Sequence, residues 1–378
     1  MSQSVSEPPS ASPFTSASTG SPAPVLILGQ GLAGTLLAWH LHWLGQRVLI
    51  LDREEPDTSS KVAAGIVTPI TGKRVAVSPR VEEFLPEAMA CYQRTAAALG
   101  TAYFHPCLQV RLFQDDTERT VFEDKRTRPE FARHLSTPQP DPLVAPALIH
   151  GPLDGFEMRH SGWLDTRAWL AASAAWFAAR DEYRRADIRH ADIAVNSGGV
   201  EGVQAAGIQG RALVFCEGYA GAANPWFPWL KWKPAKGEIL TLRIPGLQRE
   251  RRILNRGSWL LPMAEDGDGG TICRSGATYV WDDLSNVPTA AARVVLEDRL
   301  TRLLRIPWQI TGHHAAVRPI LHRSQAKMGR HPSHPALVFF NGLGSKGVLQ
   351  GPHHARVLAE HLVLGAPVPD ALDVAGNS

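Results

Sequence analysis

Gly29, Gly31 and Gly34 stand in the run Gly-Gln-Gly-Leu-Ala-Gly, directly after an apolar stretch at 24–28 and at the head of a helix-compatible stretch at 32–44. In that setting each glycine has a task. The first permits a tight turn, the second lets backbone N–H groups reach a pyrophosphate, and the third lets the helix opening at Leu32 and Ala33 pack closely on the strand. The helix N-terminus adds positive partial charge. Asp52 closes a second apolar stretch, 47–51, and lies 18 residues after Gly34, where it is placed to accept hydrogen bonds from a ribose. The predicted chemistry is capture of an ADP-containing dinucleotide. FAD and NAD share that half, so these residues alone leave the choice open.

Further segments follow in order. Residues 59–65 read Ser-Ser-Lys-Val-Ala-Ala-Gly, small enough for backbone to approach a ligand closely. A strand at 211–216 runs into Glu217-Gly218-Tyr219-Ala220-Gly221. Then come Gly276-Ala277-Thr278-Tyr279, Ala316-Val317-Arg318-Pro319, and finally Asn341-Gly342-Leu343-Gly344-Ser345-Lys346-Gly347-Val348 with Pro352.

Carried by these motifs, the chain resembles the glycine oxidase and D-amino-acid oxidase family of flavoenzymes from residue 25 to about 364. Residues 342–347 and the GATY stretch are most similar to the oxidase half of the bifunctional enzyme that finishes a methylaminomethyl group on the tRNA wobble uridine. The methyltransferase half has no counterpart here.

The resemblance implies a noncovalent FAD, because no cysteine follows Arg318 to make the covalent link of sarcosine-oxidase relatives. It assigns flavin contacts to Gly29, Gly31, Leu32, Ala33, Gly34, Asp52, Arg53, Ser59, Ser60, Ala63, Ala64, Gly65, Ile66, Ile193, Glu217, Gly218 and Arg318. The closing run Gly342, Leu343, Gly344, Ser345, Lys346, Gly347 and Val348 completes the set. The chemistry implied is hydride transfer from the α-carbon of a small amino acid or secondary amine to flavin N5, followed by imine hydrolysis. Oxygen or another acceptor would reoxidise the flavin.

Three side chains are the candidates for the reacting end. A guanidinium fork at Arg318 pairs bidentately with a substrate carboxylate. Trp259 stands where relatives place a pocket tyrosine and would form an apolar wall. Backbone N–H groups of 343–348 would hydrogen-bond the flavin pyrimidine oxygen, with Lys346 adding a full charge. Departures from the family pattern are Arg323 and Ala326, where an Asp and a Pro are usual, and Glu217, where a small residue is usual.

Two alternatives stay open. A tRNA-modifying oxidase acting on a carboxymethylaminomethyl-uridine would use Trp226, Trp229 and Trp232, interleaved with Lys231 and Lys233, to stack bases; a domain contact is the plainer role for those rings. A flavin-binding protein without amine turnover would account for the departures.

Composition sets the frame. A net charge of +3 with no long basic run offers a polyanion little attraction, so nucleic acid is not the favoured partner. Cys91, Cys107, Cys216 and Cys273 show no ligand or disulfide spacing, which favours a reducing cytoplasm and no metal. The adjacent pairs His313–His314 and His353–His354 do not converge on one ion. No membrane span is predicted.

The elements that must position these residues are a βαβ opening, helices at Val81–Leu99 and 164–179, short antiparallel strands between 226 and 310, a strand at 336–340 and a last helix at 348–364. With the resemblance, this gives an α/β chain: a Rossmann-like FAD-binding domain with a central parallel sheet, of the glutathione-reductase-like type, and a substrate domain built on an antiparallel sheet. The FAD domain is expected over 24–80, 150–225 and 312–365, and the substrate domain over 81–149 and 226–311. Tails are expected at 1–23 and 366–378.

Overall fold

The computed structural model describes residues 23–72, 74–151, 154–195 and 202–376, so the tail expected at 1–23 lies almost wholly outside the described residues. The first layer is a six-stranded sheet in the order Tyr183–Arg185, Val48–Asp52, Val25–Leu28, Ala212–Phe215, Leu337–Asn341, Lys327–Arg330. The first five run parallel and the last antiparallel.

Alternation along the strands divides the core. Val25, Ile27, Val48 and Ile50 pack with the helices, whereas Leu26, Leu28, Leu49 and Leu51 pack on the opposite face with Phe215, Phe227 and Phe339. A strand sends successive side chains to opposite faces, so a sheet covered on both sides needs apolar residues at every position. All four residues of Val25–Leu28 are accordingly buried.

The helical face carries Leu32–Trp43, Val81–Leu99, Thr166–Ala178 and Gly347–Leu364. Thr166–Ala178 starts two residues inside the expected 164–179, because the Asp165 carboxylate caps it by accepting from the Ala168 N–H at 3.1 Å. Trp39 of the first helix is fully buried against Trp176 and Phe177 of the third.

The second layer is a seven-stranded sheet in the order Gln309–Arg318, Ala235–Pro245, Gly270–Gly276, Trp259–Glu265, Ile253–Asn255, Gln109–Leu112, Gly155–Met158. Its pairs are antiparallel except Ile253–Asn255 with Gln109–Leu112. The helix Ala290–Leu303 covers one face through Leu296 and Leu300.

Packing crosses the expected units at four places. Helix Val81–Leu99, expected in the substrate unit, packs into the first layer: Phe84, Ala88, Cys91 and Tyr92 share a core with Leu36 and Leu358. Gly155–Met158 and residues 312–318 of the strand Gln309–Arg318 do the converse and join the second sheet. The stretch after 365 is no loose tail as far as residue 376, because Val368, Leu372 and Val374 are buried, the Val374 N–H donates to the Met328 carbonyl and the Met328 N–H donates to the Leu372 carbonyl. Apolar residues at 368, 372 and 374 are the signal for that docking.

Candidate active site

One cavity of about 440 Å³ runs from the ends of the parallel strands to the face of the antiparallel sheet. At its first end lies the glycine turn. Gly29 has φ +105, and a side chain there would come within 2.5 Å of the Cys216 carbonyl oxygen. Gly34 lies beneath the cavity, where a Cβ would collide with the Gly29 carbonyl, so it serves the packing of helix on strand. Gly31, Leu32 and Ala33 line the cavity itself.

Asp52 holds this turn in shape. Its carboxylate accepts from the Gln30 N–H at 2.6 Å and from the Glu54 N–H at 2.7 Å, and it lines the cavity with Arg53. Ser60 reaches across from the short helix Ser59–Val62, whose Oγ accepts from the Leu32 N–H at 2.9 Å. Thr58 caps that helix by accepting from the Lys61 N–H. Ser59, Ala63, Ala64, Gly65 and Ile66 continue the wall, with Gly65 at φ +71 pressed against the Leu164 backbone.

Glu217 and Gly218 line the same end. Glu217 accepts from His190 Nε2 at 2.7 Å and from Asn224 Nδ2 at 2.9 Å, and the first of these raises the His190 pKa above its ordinary value. The unusual acid is therefore partnered. Ile193 lies elsewhere: it is buried in the antiparallel strands that cover the sheet, while Ala186, Asp187 and Ile188 form this part of the cavity wall. Ala186–Ile188 follow the strand Tyr183–Arg185, whose Tyr-Arg-Arg sequence carries no apolar signal, whereas Ile193 opens the apolar strand Ile193–Val195.

Trp259 and Arg318 also line the cavity, as do Leu343, Gly344, Ser345, Gly347 and Val348 around the start of the last helix. The wall at Trp259 is apolar, built from that ring with Val62, Ile239, Ala316 and Ala277. Arg318 donates through Nη2 to the Thr278 carbonyl at 3.2 Å, and its Cζ lies 4.8 Å from the centroid of the Tyr279 ring. Its Nη1 is buried without a partner, and burial lowers its pKa. Gly237 makes the room, since a Cβ on that strand would run into the guanidinium. Gly237 and Asn286 are cavity residues that sequence reasoning missed; a glycine inside a strand is the signal that would have found the first.

Lys346 and Gly342 do not line the cavity. Lys346 turns away, and its Nζ donates to Thr71 Oγ1 at 3.2 Å and Ser78 Oγ at 3.0 Å. Burial lowers its pKa. Gly342, at φ +83, packs on Leu321. Arg323 is exposed and Ala326 buried in the helical-face core, both away from the cavity.

The histidine pairs also resolve into separate contacts. His313 Nε2 lies 2.8 Å from Glu238, and His353 Nδ1 lies 2.8 Å from Glu87. Glu83, Glu87 and His353 cluster, but Arg80 and Arg356 already pair with those carboxylates. All four cysteines are free thiols. Among the described residues no helix is long and apolar enough to cross a membrane.

Residues 24–361 match the family model described as DAO: FAD dependent oxidoreductase. Glycine oxidase from Bacillus cereus superposes with a TM-score of 0.75 at 20% identity, covering 93% of this chain and 97% of that one. Iminodiacetate oxidase from a Chelativorans species gives 0.70 at 21%, covering 91% and 97%. L-Proline dehydrogenase from P. horikoshii gives 0.69 at 15%, covering 92% and 94%. These likenesses show the fold. The uncharacterised oxidoreductase YurR of Bacillus subtilis is 43% identical over 49 residues, which is 13% of either chain.

Proposed function

The chain belongs to the DAO family of FAD-dependent oxidoreductases, and on that premise we propose that it oxidises the C–N bond of a small amino acid or secondary amine. The residues present fit the cofactor. Gly29 and Gly31 line the cavity where a Cβ would press on the Cys216 carbonyl and on Ser60 Oγ, so backbone alone faces a ligand there, and the same cavity reaches the apolar chamber at Trp259. When bound, FAD would supply a two-electron acceptor for a hydride from the substrate α-carbon, and the iminium left behind, or the imine formed when its N–H proton passes to solvent, would be hydrolysed by water.

The observation that carries the reading is the unpartnered Nη1 of Arg318 inside this cavity. A buried donor without a partner is costly, and a bound carboxylate is the ligand that would satisfy it bidentately. With the carboxylate fixed, Trp259 and Ile239 limit how the rest of the substrate lies and exclude water. The start of the helix Gly347–Leu364 presents its positive end to the same space, suited to negative charge gained on reduction. A cytoplasmic location, consistent with the four free thiols, is part of the same reading.

The test is anaerobic mixing of the flavin-loaded enzyme with glycine, sarcosine, D-amino acids and N-substituted glycines, following loss of flavin colour. At least one should bleach it, and uniform silence would refute the reading in favour of a binding protein without turnover. The tRNA reading loses the support of its tryptophans, which turn inward. Trp229 Nε1 donates to the Val374 carbonyl at 3.0 Å, and Trp232 packs edge-on against Phe339.

A further inference from the structure

Among the described residues, the exposed aromatic side chains are Tyr279 and Trp281, 44% and 56% exposed. They stand together, ring centroids 4.9 Å apart at 57°. Val287, 66% exposed, belongs to the same loop. Single apolar residues on a surface need no explanation, but rings gathered at one place beside a cavity do.

Two observations tie this patch to the site. Arg318, whose Nη1 is unpartnered in the cavity, holds its guanidinium over the Tyr279 ring, so chamber and patch share one cation. Asn286, from the same loop, lines the cavity and accepts from the Val317 N–H at 3.3 Å.

The loop is also fixed from below. Lys236, 1% exposed, donates to Asp283 Oδ2 at 2.5 Å, to Ser285 Oγ at 3.1 Å and to the Val287 carbonyl at 2.5 Å. Lys236 and Val280 exchange backbone hydrogen bonds, and Glu238 accepts from both the N–H and the hydroxyl of Thr289 at 2.9 Å. Exposed rings on a loop pinned by a buried amine form a surface ordered before anything binds, which lowers the entropy cost of using it.

We infer that the substrate is an amino acid carrying an aromatic group on its side chain or on its nitrogen. Its carboxylate pairs with Arg318, its C–N bond enters the apolar chamber beside Trp259, and its aromatic group lies over Tyr279 and Trp281 at the mouth. This rests on the amine-oxidising reading above. A substrate the size of glycine would leave both rings in water.

The test is titration of the flavin-loaded enzyme with unreactive carboxylates, read as the shift of the flavin absorbance band. Acetate and propionate are compared with 3-phenylpropionate and indole-3-acetate. The aromatic acids should bind at least tenfold tighter, and Trp281→Ala should cut that ratio to about threefold or less while Trp281→Phe keeps it. Equal binding of both classes, or a ratio indifferent to Trp281→Ala, would overturn this inference and leave amine oxidation standing. No response to any carboxylate would overturn both. Binding of tRNA that Trp281→Ala abolishes, without discrimination among the acids, would assign the rings to bases and overturn it too.

Discussion

Gly237 and Arg318 occupy one space: the guanidinium lies where the side chain of residue 237 would be. The two strands pair in register, Gly237 beside Ala316 and Ala235 beside Arg318, so the arginine folds back across its neighbour. Gly237→Ala should therefore displace Arg318 without disturbing the nucleotide end. The half-saturating concentration of a carboxylate substrate should rise tenfold or more with FAD retained, and steady-state kinetics with a flavin-to-protein absorbance ratio check this. Arg318→Lys should fail to restore binding, since a single ammonium lacks the planar fork.

Loss of the cofactor is the expected result of Gly34→Ala. Its Cβ has backbone against it and not a yielding side chain, so the turn must open. The variant should purify colourless. Asp52→Ala should weaken FAD by about tenfold or more, because two backbone N–H groups of the turn lose their acceptor. Fluorescence of released flavin measures both, and yellow, stoichiometric Gly34→Ala protein would refute the role given to that glycine.

Legibility in the sequence followed locality. The turn at Gly29 and the start of the helix Thr166–Ala178 are set by neighbours a few residues away; the turn lies at the expected glycines and the helix starts within two residues of its expected 164. Placement of Val81–Leu99 depends on which distant helix its apolar face meets, and the pattern of one helix does not say. Lys346 shows the same limit at a single residue. It sits amid a ligand loop, yet the direction of its side chain is decided by the hydroxyls of Thr71 and Ser78.

That contact makes Lys346→Met a test of stability. Loss of two hydrogen bonds from a half-buried ammonium should cost about 1–3 kcal/mol, measured by chemical denaturation. The absorption spectrum of the reduced flavin should stay unchanged. A large spectral change would return Lys346 to the flavin.

Acid should destabilise the protein before its carboxylates titrate. Burial lowers His40 and His354 from 6.5 to about 4, and each has a ring nitrogen without a partner. Below pH 6.5 the unfolded chain takes up protons that the folded chain refuses. Stability is thus full above that value and falls as pH drops towards 4. The loss should be roughly 2 kcal/mol per histidine between pH 7 and pH 5. His354→Gln should flatten the dependence, seen in denaturation midpoints across that range.

The wall of the cavity begins at Leu28 and ends at Val348, and Gly347 leaves just enough space for Leu32 to nestle beside it. A ribosome must therefore deliver everything from Leu28 through Val348 before a nucleotide can be gripped at both ends. Insertion of the coenzyme is consequently a late event in biogenesis, and chains cut short before the final helix would emerge without it.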